Sequence, residues 1–194
     1  MDHRVFLFNY RSYTPIPLLL AILILAAPTP ASLLGGFALA LLGEALRIWA
    51  VRHAGGATRT TSGVGAGPVL ITHGPFAYVR NPLYLGNFLL SLGLCLMSWA
   101  WMPWMLFVFI ALFGWQYWSI ISLEEEHLQQ RFGQIYTAYL QNVPRFLPRL
   151  TPFHRQEAQI MPLARALKIE KNTLFSFAAV ALAIFLRWSF GVLE

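Results

Sequence analysis

Charge is scarce in this chain, and cysteine is nearly absent. Only 11% of its 194 residues are charged and 57% are hydrophobic, whereas soluble domains are about one quarter charged. That balance excludes an ordinary water-soluble domain. The single cysteine, Cys95, excludes an internal disulfide and has no companion ligands for a metal. It reads as a small buried hydrophobe. Acidic residues are also few, 8 against 14 lysines and arginines. No basic stripe covers an exposed helix, so the net charge of +6 speaks for membrane orientation and against a nucleic-acid partner. A dinucleotide fingerprint is missing too. The glycines at 63, 65 and 67 follow no strand and open no helix. Residues 55–67 read as a mobile loop, with covering a site as the alternative role.

What the chain does have is apolar length. A bilayer-spanning helix needs about 20 mostly apolar residues, and five stretches are candidates: 13–27, which is short, then 31–51, 82–99, 101–123 and 172–190. The first resembles a signal peptide, but the Pro28-Thr29-Pro30 turn and the immediate return point to an αα-hairpin. The expected fold class is all-α: one integral membrane domain over 1–194, a polytopic helical bundle with about five transmembrane helices. Arginines and lysines cluster before the first span, between the second and third, and between the fourth and fifth. Positive-inside then places the N-terminus and both polar segments described below in the cytoplasm. Trp99, Trp101 and Trp104 form an aromatic belt at the opposite face.

Two polar, aromatic-rich segments flank the hairpin of the third and fourth spans. The first runs His73-Gly-Pro-Phe-Ala-Tyr-Val-Arg-Asn-Pro-Leu-Tyr-Leu-Gly86. Asn81-Pro82 reads as a helix start, with asparagine capping free amides and proline at the first helical position. Beside Arg80, that N-terminus suits a small carboxylate or phosphate. Gly86 lets a ligand or a neighbouring helix approach closely, while Tyr78 and Tyr84 offer faces for a purine ring.

The second segment begins at Glu124-Glu125-Glu126-His127-Leu128 and ends at Val143-Pro144-Arg145. Leu128, Phe132, Ile135, Tyr136, Tyr139 and Leu140 recur at helical spacing and predict one apolar face. Glu124 and Glu125 precede Leu128 by four and three residues, so both turn toward that face; Glu126 turns to water. Two carboxylates on an apolar face require a cation or donors. Arg145 is the expected counter-charge. Glu44 and Arg47 form a further intramembrane pair, functional or structural. His73 and His127 lack metal-ligand spacing and read as hydrogen-bonding loop residues.

In order and spacing, Gly74-Pro75-x-x-Tyr78-x-Arg80-Asn81-Pro82-x-Tyr84-x-Gly86, Glu124-Glu125-x-x-Leu128-x-x-x-Phe132-Gly133-x-x-Tyr136-x-x-Tyr139 and Val143-Pro144-Arg145 resemble the isoprenylcysteine carboxyl methyltransferases. The related phospholipid N-methyltransferases share this arrangement. The resemblance covers about 37–148 and leaves a C-terminal extension, about 150–194, with an extra helix. Many relatives have histidine where this chain has Asn81. The extension bears on the acceptor's identity, because it can reshape a lipid entrance.

The resemblance implies a helical bundle that binds S-adenosyl-L-methionine at the cytosolic face. It further implies that His73, Gly74, Pro75, Tyr78, Arg80, Asn81, Pro82, Tyr84, Gly86, Glu125 and Tyr136 surround the cofactor. Arg145 and Glu124 are then the catalytic pair, near where donor and acceptor meet, and no metal is required. The acceptor is lipid-like or prenylated. Arg145 suits a carboxylate acceptor as a bidentate partner, and Glu124 suits an amine acceptor as binder or proton acceptor. Carboxyl O-methylation is preferred and amine N-methylation is the alternative. Membrane sterol reductases that use NADPH share the Arg-x-Pro-x-Tyr-x-Gly block, although an aromatic residue is expected there in place of Arg145. A non-enzymatic scaffold is a third reading, and the intact glutamate pair weighs against it.

Overall fold

The computed structural model describes residues 2–55, 69–153 and 160–191. Among these residues every regular element is helical: α1 (His3–Asn9), α2 (Ile16–Ile24), α3 (Pro30–Ala54), α4 (Pro82–Ser98), α5 (Trp104–Phe132), α6 (Gln134–Asn142) and α7 (Leu163–Gly191). A 3-10 turn, Gly74–Ala77, leads toward α4. The 55–67 loop falls almost wholly outside the described residues.

Three helices, α3, α5 and α7, are long and apolar enough to cross a membrane. At 1.5 Å per residue, the 17 residues of α4 reach about 26 Å and the 9 of α2 about 14 Å. The first expected span is therefore only a short apolar helix. Tyr10 to Pro15 form turns, and Pro15 and Pro17 delay the start of α2, because proline suits a first turn but no position deeper in a helix. The next helix starts cleanly. Thr29 caps α3 through a reciprocal box with Ser32, which satisfies amides that would otherwise be orphaned.

Helices α3 and α4 pack backbone to backbone. A Cβ on Gly43 would lie 2.4 Å from the Leu90 nitrogen, and one on Gly93 would lie 2.4 Å from the Ala40 nitrogen. Lipid gives helices no hydrophobic reason to associate, so this close approach of small residues supplies the packing. Phe109 and Phe113 of α5 and Phe177, Ala181 and Ile184 of α7 complete the main core with Leu90 and Leu94. The C-terminal helix is thus part of the core.

The 29 residues of α5 reach about 44 Å, well beyond a hydrocarbon layer of about 30 Å. Gly133, at φ +54, ends α5 and begins α6. The expected apolar face survives this break at five of its six residues: Leu128, Phe132, Tyr136, Tyr139 and Leu140 pack with Val143 in a small core, and only Ile135 is exposed.

Backbone hydrogen bonds tie the loops into two ends. At one end, Ala27 N–H donates to Ser98 O at 3.0 Å. At the other, Arg80 N–H reaches Pro144 O (2.9 Å), Arg149 N–H reaches Tyr78 O (3.0 Å) and Met161 N–H reaches Arg52 O (2.8 Å). The two motif segments therefore meet at one end of the bundle, and exposed Trp99, Trp101 and Trp104 lie toward the other.

Candidate active site

The first segment is held in place by small, closely packed residues. Gly74 adopts φ +60, and a Cβ there would fall 2.2 Å from Cδ2 of His53, so only glycine suits this turn. The His73 ring lies 5.8 Å from the His53 ring. Loss of solvent, and then the neighbouring His53, hold the His73 imidazole below its usual pKa. Tyr78 packs near Trp49, 6.2 Å between ring centroids. Together with Leu46, Pro75, Val79, Leu85 and Pro148, these two rings line a cavity of about 200 Å³.

Two residues further on, the charges converge on Glu125. This carboxylate is buried. Arg80 Nε lies 3.1 Å from Glu125 Oε1, although the N–H is poorly aligned for a hydrogen bond. Arg80 Nη1 donates to Leu140 O at 2.9 Å. Arg145 Nη2 donates to the other Glu125 oxygen, and Nη1 reaches Ser122 Oγ at 3.3 Å. The Arg145 guanidinium also lies over Trp118, 4.5 Å from the ring centre, a favourable cation–π position. Two arginines sharing one carboxylate leave this cluster with excess positive charge, next to Glu124.

Asn81 departs from its expected role. Its side chain makes no cap hydrogen bond; its amide points at Glu125 Oε1, 3.4 Å away. The side chain is turned so that its NH2 faces the carboxylate, and its oxygen, the atom a cap would use, makes no bond to the helix amides. Pro82 does take the first helical position. Tyr84 donates its hydroxyl to Glu124 Oε1 at 2.8 Å. A Cβ on Gly86 would meet Arg47 Cγ at 2.6 Å and Gly43 O at 2.9 Å, so the close neighbour at Gly86 is helix α3.

The glutamates sort as helical phase predicts. Glu125 is buried, Glu124 is half-buried and Glu126 is exposed. Glu126 is paired rather than merely hydrated, because Arg4 Nη1 donates to it at 3.0 Å. Tyr136 is buried against Tyr139, whose hydroxyl donates to Phe76 O at 2.7 Å. Burial, and then the Glu125 charge, push the Tyr136 phenol well above its ordinary pKa, so it stays a neutral donor.

The structure thus gathers Arg80, Asn81, Glu125 and Arg145 into one cluster, pairs Tyr84 with Glu124, and sets His73, Gly74, Pro75 and Tyr78 beside Trp49 and His53. Sequence reasoning missed Trp118 and Ser122. They precede Glu125 by seven and three residues, a helical spacing that put them on its face of α5 and was available as a signal. Glu170, described below, left no such local signal.

Two curated proteins match parts of this chain. The protein-S-isoprenylcysteine O-methyltransferase of Schizosaccharomyces pombe is 35% identical over 81 residues, 41% of this chain and 33% of that protein. The enzyme of the same name from Tribolium castaneum is 32% identical over 123 residues, 58% of this chain and 40% of that protein. The matched region therefore spans only a third to two fifths of these relatives. The sequence model of the phospholipid methyltransferase family matches residues 31–135, more than half the chain, with all but the first residue of α3 and all of α4 and α5. With three helices fit to cross a bilayer, this integral membrane protein belongs to the phospholipid methyltransferase family.

Proposed function

We propose that this protein is an S-adenosylmethionine-dependent methyltransferase that works at the membrane interface on a lipid-like acceptor, by preference an isoprenylcysteine-type carboxylate. The observation that carries the proposal is the Glu125 carboxylate bridging Arg80 and Arg145 next to the Tyr84–Glu124 pair. The names of the two relatives support the carboxyl acceptor.

The residues fit the cofactor's chemistry. When bound, S-adenosylmethionine supplies a methyl group on a sulfonium sulfur. Its ammonium and ribose hydroxyls need acceptors, which Glu124 and Glu125 provide; its carboxylate needs a cation such as Arg80. Tyr78 and Trp49 supply flat apolar surface for the purine. An acceptor carboxylate bears no proton, so O-methylation needs no general base. The protein's task is then to orient the acceptor, and orientation alone supplies a large acceleration. Arg145, lying over Trp118, is the group to hold that carboxylate.

The family's own description favours a second reading, methylation of a phospholipid amine. In that case Glu124, oriented by Tyr84, accepts the amine proton. The arginine-rich loops support a cytoplasmic site end in either case. Calorimetry on the purified protein with S-adenosylhomocysteine and with NADPH tests the assignment. Saturable binding of the sulfur compound alone is expected, and binding of NADPH alone overturns it. Transfer of labelled methyl to a prenylcysteine or to a phosphatidylethanolamine vesicle then separates the acceptors.

A further inference from the structure

Arg47 lies on α3 inside the bundle, and its guanidinium joins three helices. Nη2 donates to Glu170 Oε2 of α7 at 2.6 Å and lies 3.4 Å from Thr173 Oγ1. Nη1 donates to Asn87 Oδ1 of α4, and Nε is 3.6 Å from Glu44 on the same helix. Glu170 is only 1% exposed, although α7 lies outside the region matched by the family. An apolar helix could dock on this core through packing alone. Replacing a buried ion pair by apolar residues often costs no stability, so such a pair speaks for fixing one arrangement.

The arrangement continues toward the candidate site. Asn87 stands one turn beyond Tyr84 on α4, so holding its oxygen fixes the stretch of helix that carries Tyr84. The Tyr117 ring packs on Tyr84, 5.0 Å between centroids, and Tyr84 donates to Glu124. Each link is a direct contact or a single turn of helix.

We propose that Glu170 is a positioning residue: it docks α7 on Arg47 and, through Asn87 and Tyr84 on α4, sets where Glu124 points. The proposal rests on Glu124 belonging to the methyl-transfer site. It gives the C-terminal helix a role in the site's geometry, not only in anchorage.

A double-mutant cycle on the full chain in detergent tests it, with S-adenosylhomocysteine affinity as the readout. In Glu170→Gln the amide can still accept from Arg47 and Glu44 still balances the charge, so the fold is expected to survive. Glu170→Gln and Glu124→Gln should each weaken binding about tenfold, and the pair together about tenfold, because coupled sites do not add whereas independent distant ones do. Asn87→Ala keeps the Glu170–Arg47 pair but removes the link to α4; it should lower affinity and be non-additive with Glu170→Gln. Glu170→Asp should recover part of the loss. Multiplicative losses, or full affinity in Asn87→Ala, overturn the proposal. If the parent protein binds no S-adenosylhomocysteine, the methyl-transfer reading fails by itself. The cycle between Glu170→Gln and Tyr84→Phe, read as the midpoint of unfolding in sodium dodecyl sulfate, then decides the network. Non-additive shifts support it and additive shifts overturn it.

Discussion

Replacing Glu125 by glutamine tests the charge cluster most directly. The carboxylate is 8% exposed and serves Arg80, Arg145 and the Asn81 amide. Breaking a buried ion pair by removing one partner costs about 3–5 kcal/mol. Here part of each arginine's hydrogen bonding survives. Arg80 keeps the Leu140 carbonyl, and Arg145 keeps Ser122 and the face of Trp118. Both side chains also retain some contact with solvent. The expected loss is therefore nearer 2–3 kcal/mol, about the cost of leaving a charged group under-satisfied. Unfolding monitored in sodium dodecyl sulfate titrations should show it. Glu126→Gln is the internal control: it removes a half-exposed partner of Arg4, and exposed pairs contribute little. Under the proposed function, S-adenosylhomocysteine binding should fall with Glu125→Gln and hold with Glu126→Gln. Equal losses at the two positions would refute the reasoning and make the run a general acidic patch.

Gly43→Ala should destabilise the bundle by more than the usual 1–3 kcal/mol of overpacking, because the added carbon meets the Leu90 backbone nitrogen and not a flexible side chain. Gly114→Ala, with nothing within 4 Å of its Cβ, should be neutral or stabilising in the same assay. The lowered pKa of His73 means that the unfolded chain binds its proton more readily. Stability should therefore fall as pH drops through about 6.5 and below. A pH series of melting temperatures should lose part of this slope in His73→Gln. For topology, cysteines introduced at exposed Gln141 and Ala27 should label from opposite sides of sealed vesicles, Gln141 from the cytoplasmic side. Labelling of both from one side refutes that orientation.

Much of this was legible in the residues, and the exceptions share a cause. Apolar runs marked α3, α4, α5 and α7, since hydrophobic length is the main constraint in a bilayer. Helical phase separated Glu125 from Glu126, and the need for a counter-charge pointed to Arg145. Local signals failed where a distant group competed. Asn81 would cap α4 in isolation, but its side chain instead turns its NH2 toward Glu125 on α5 and leaves the helix amides uncapped. The face from Leu128 to Leu140 was read as one helix, although Gly133 is the residue type that ends helices in the positive-φ region. That signal was present and underweighted. Glu170 could not be found this way. Its partner Arg47 lies 123 residues away, and neither position carries a pattern that names the other.

Helix length also explains why the charged cluster sits where it does. From Trp104 to Leu123, α5 offers 20 residues, about 30 Å at 1.5 Å per residue, which is the thickness of a hydrocarbon layer. Its carboxylates begin at the next residue. The α4 helix, shorter at about 26 Å, starts from the same end with Pro82, directly after Arg80 and Asn81. Both helices leave the tryptophan-rich turn together and run the same depth. Arg80 and Glu125 therefore arrive at one level, close enough to pair at 3.1 Å. Deeper in the layer, three charged groups would need far better pairing to offset their lost hydration. Further out, water would weaken the contacts that orient them. The boundary is where a charge cluster remains ordered and a water-soluble donor can still meet an acceptor dissolved in lipid.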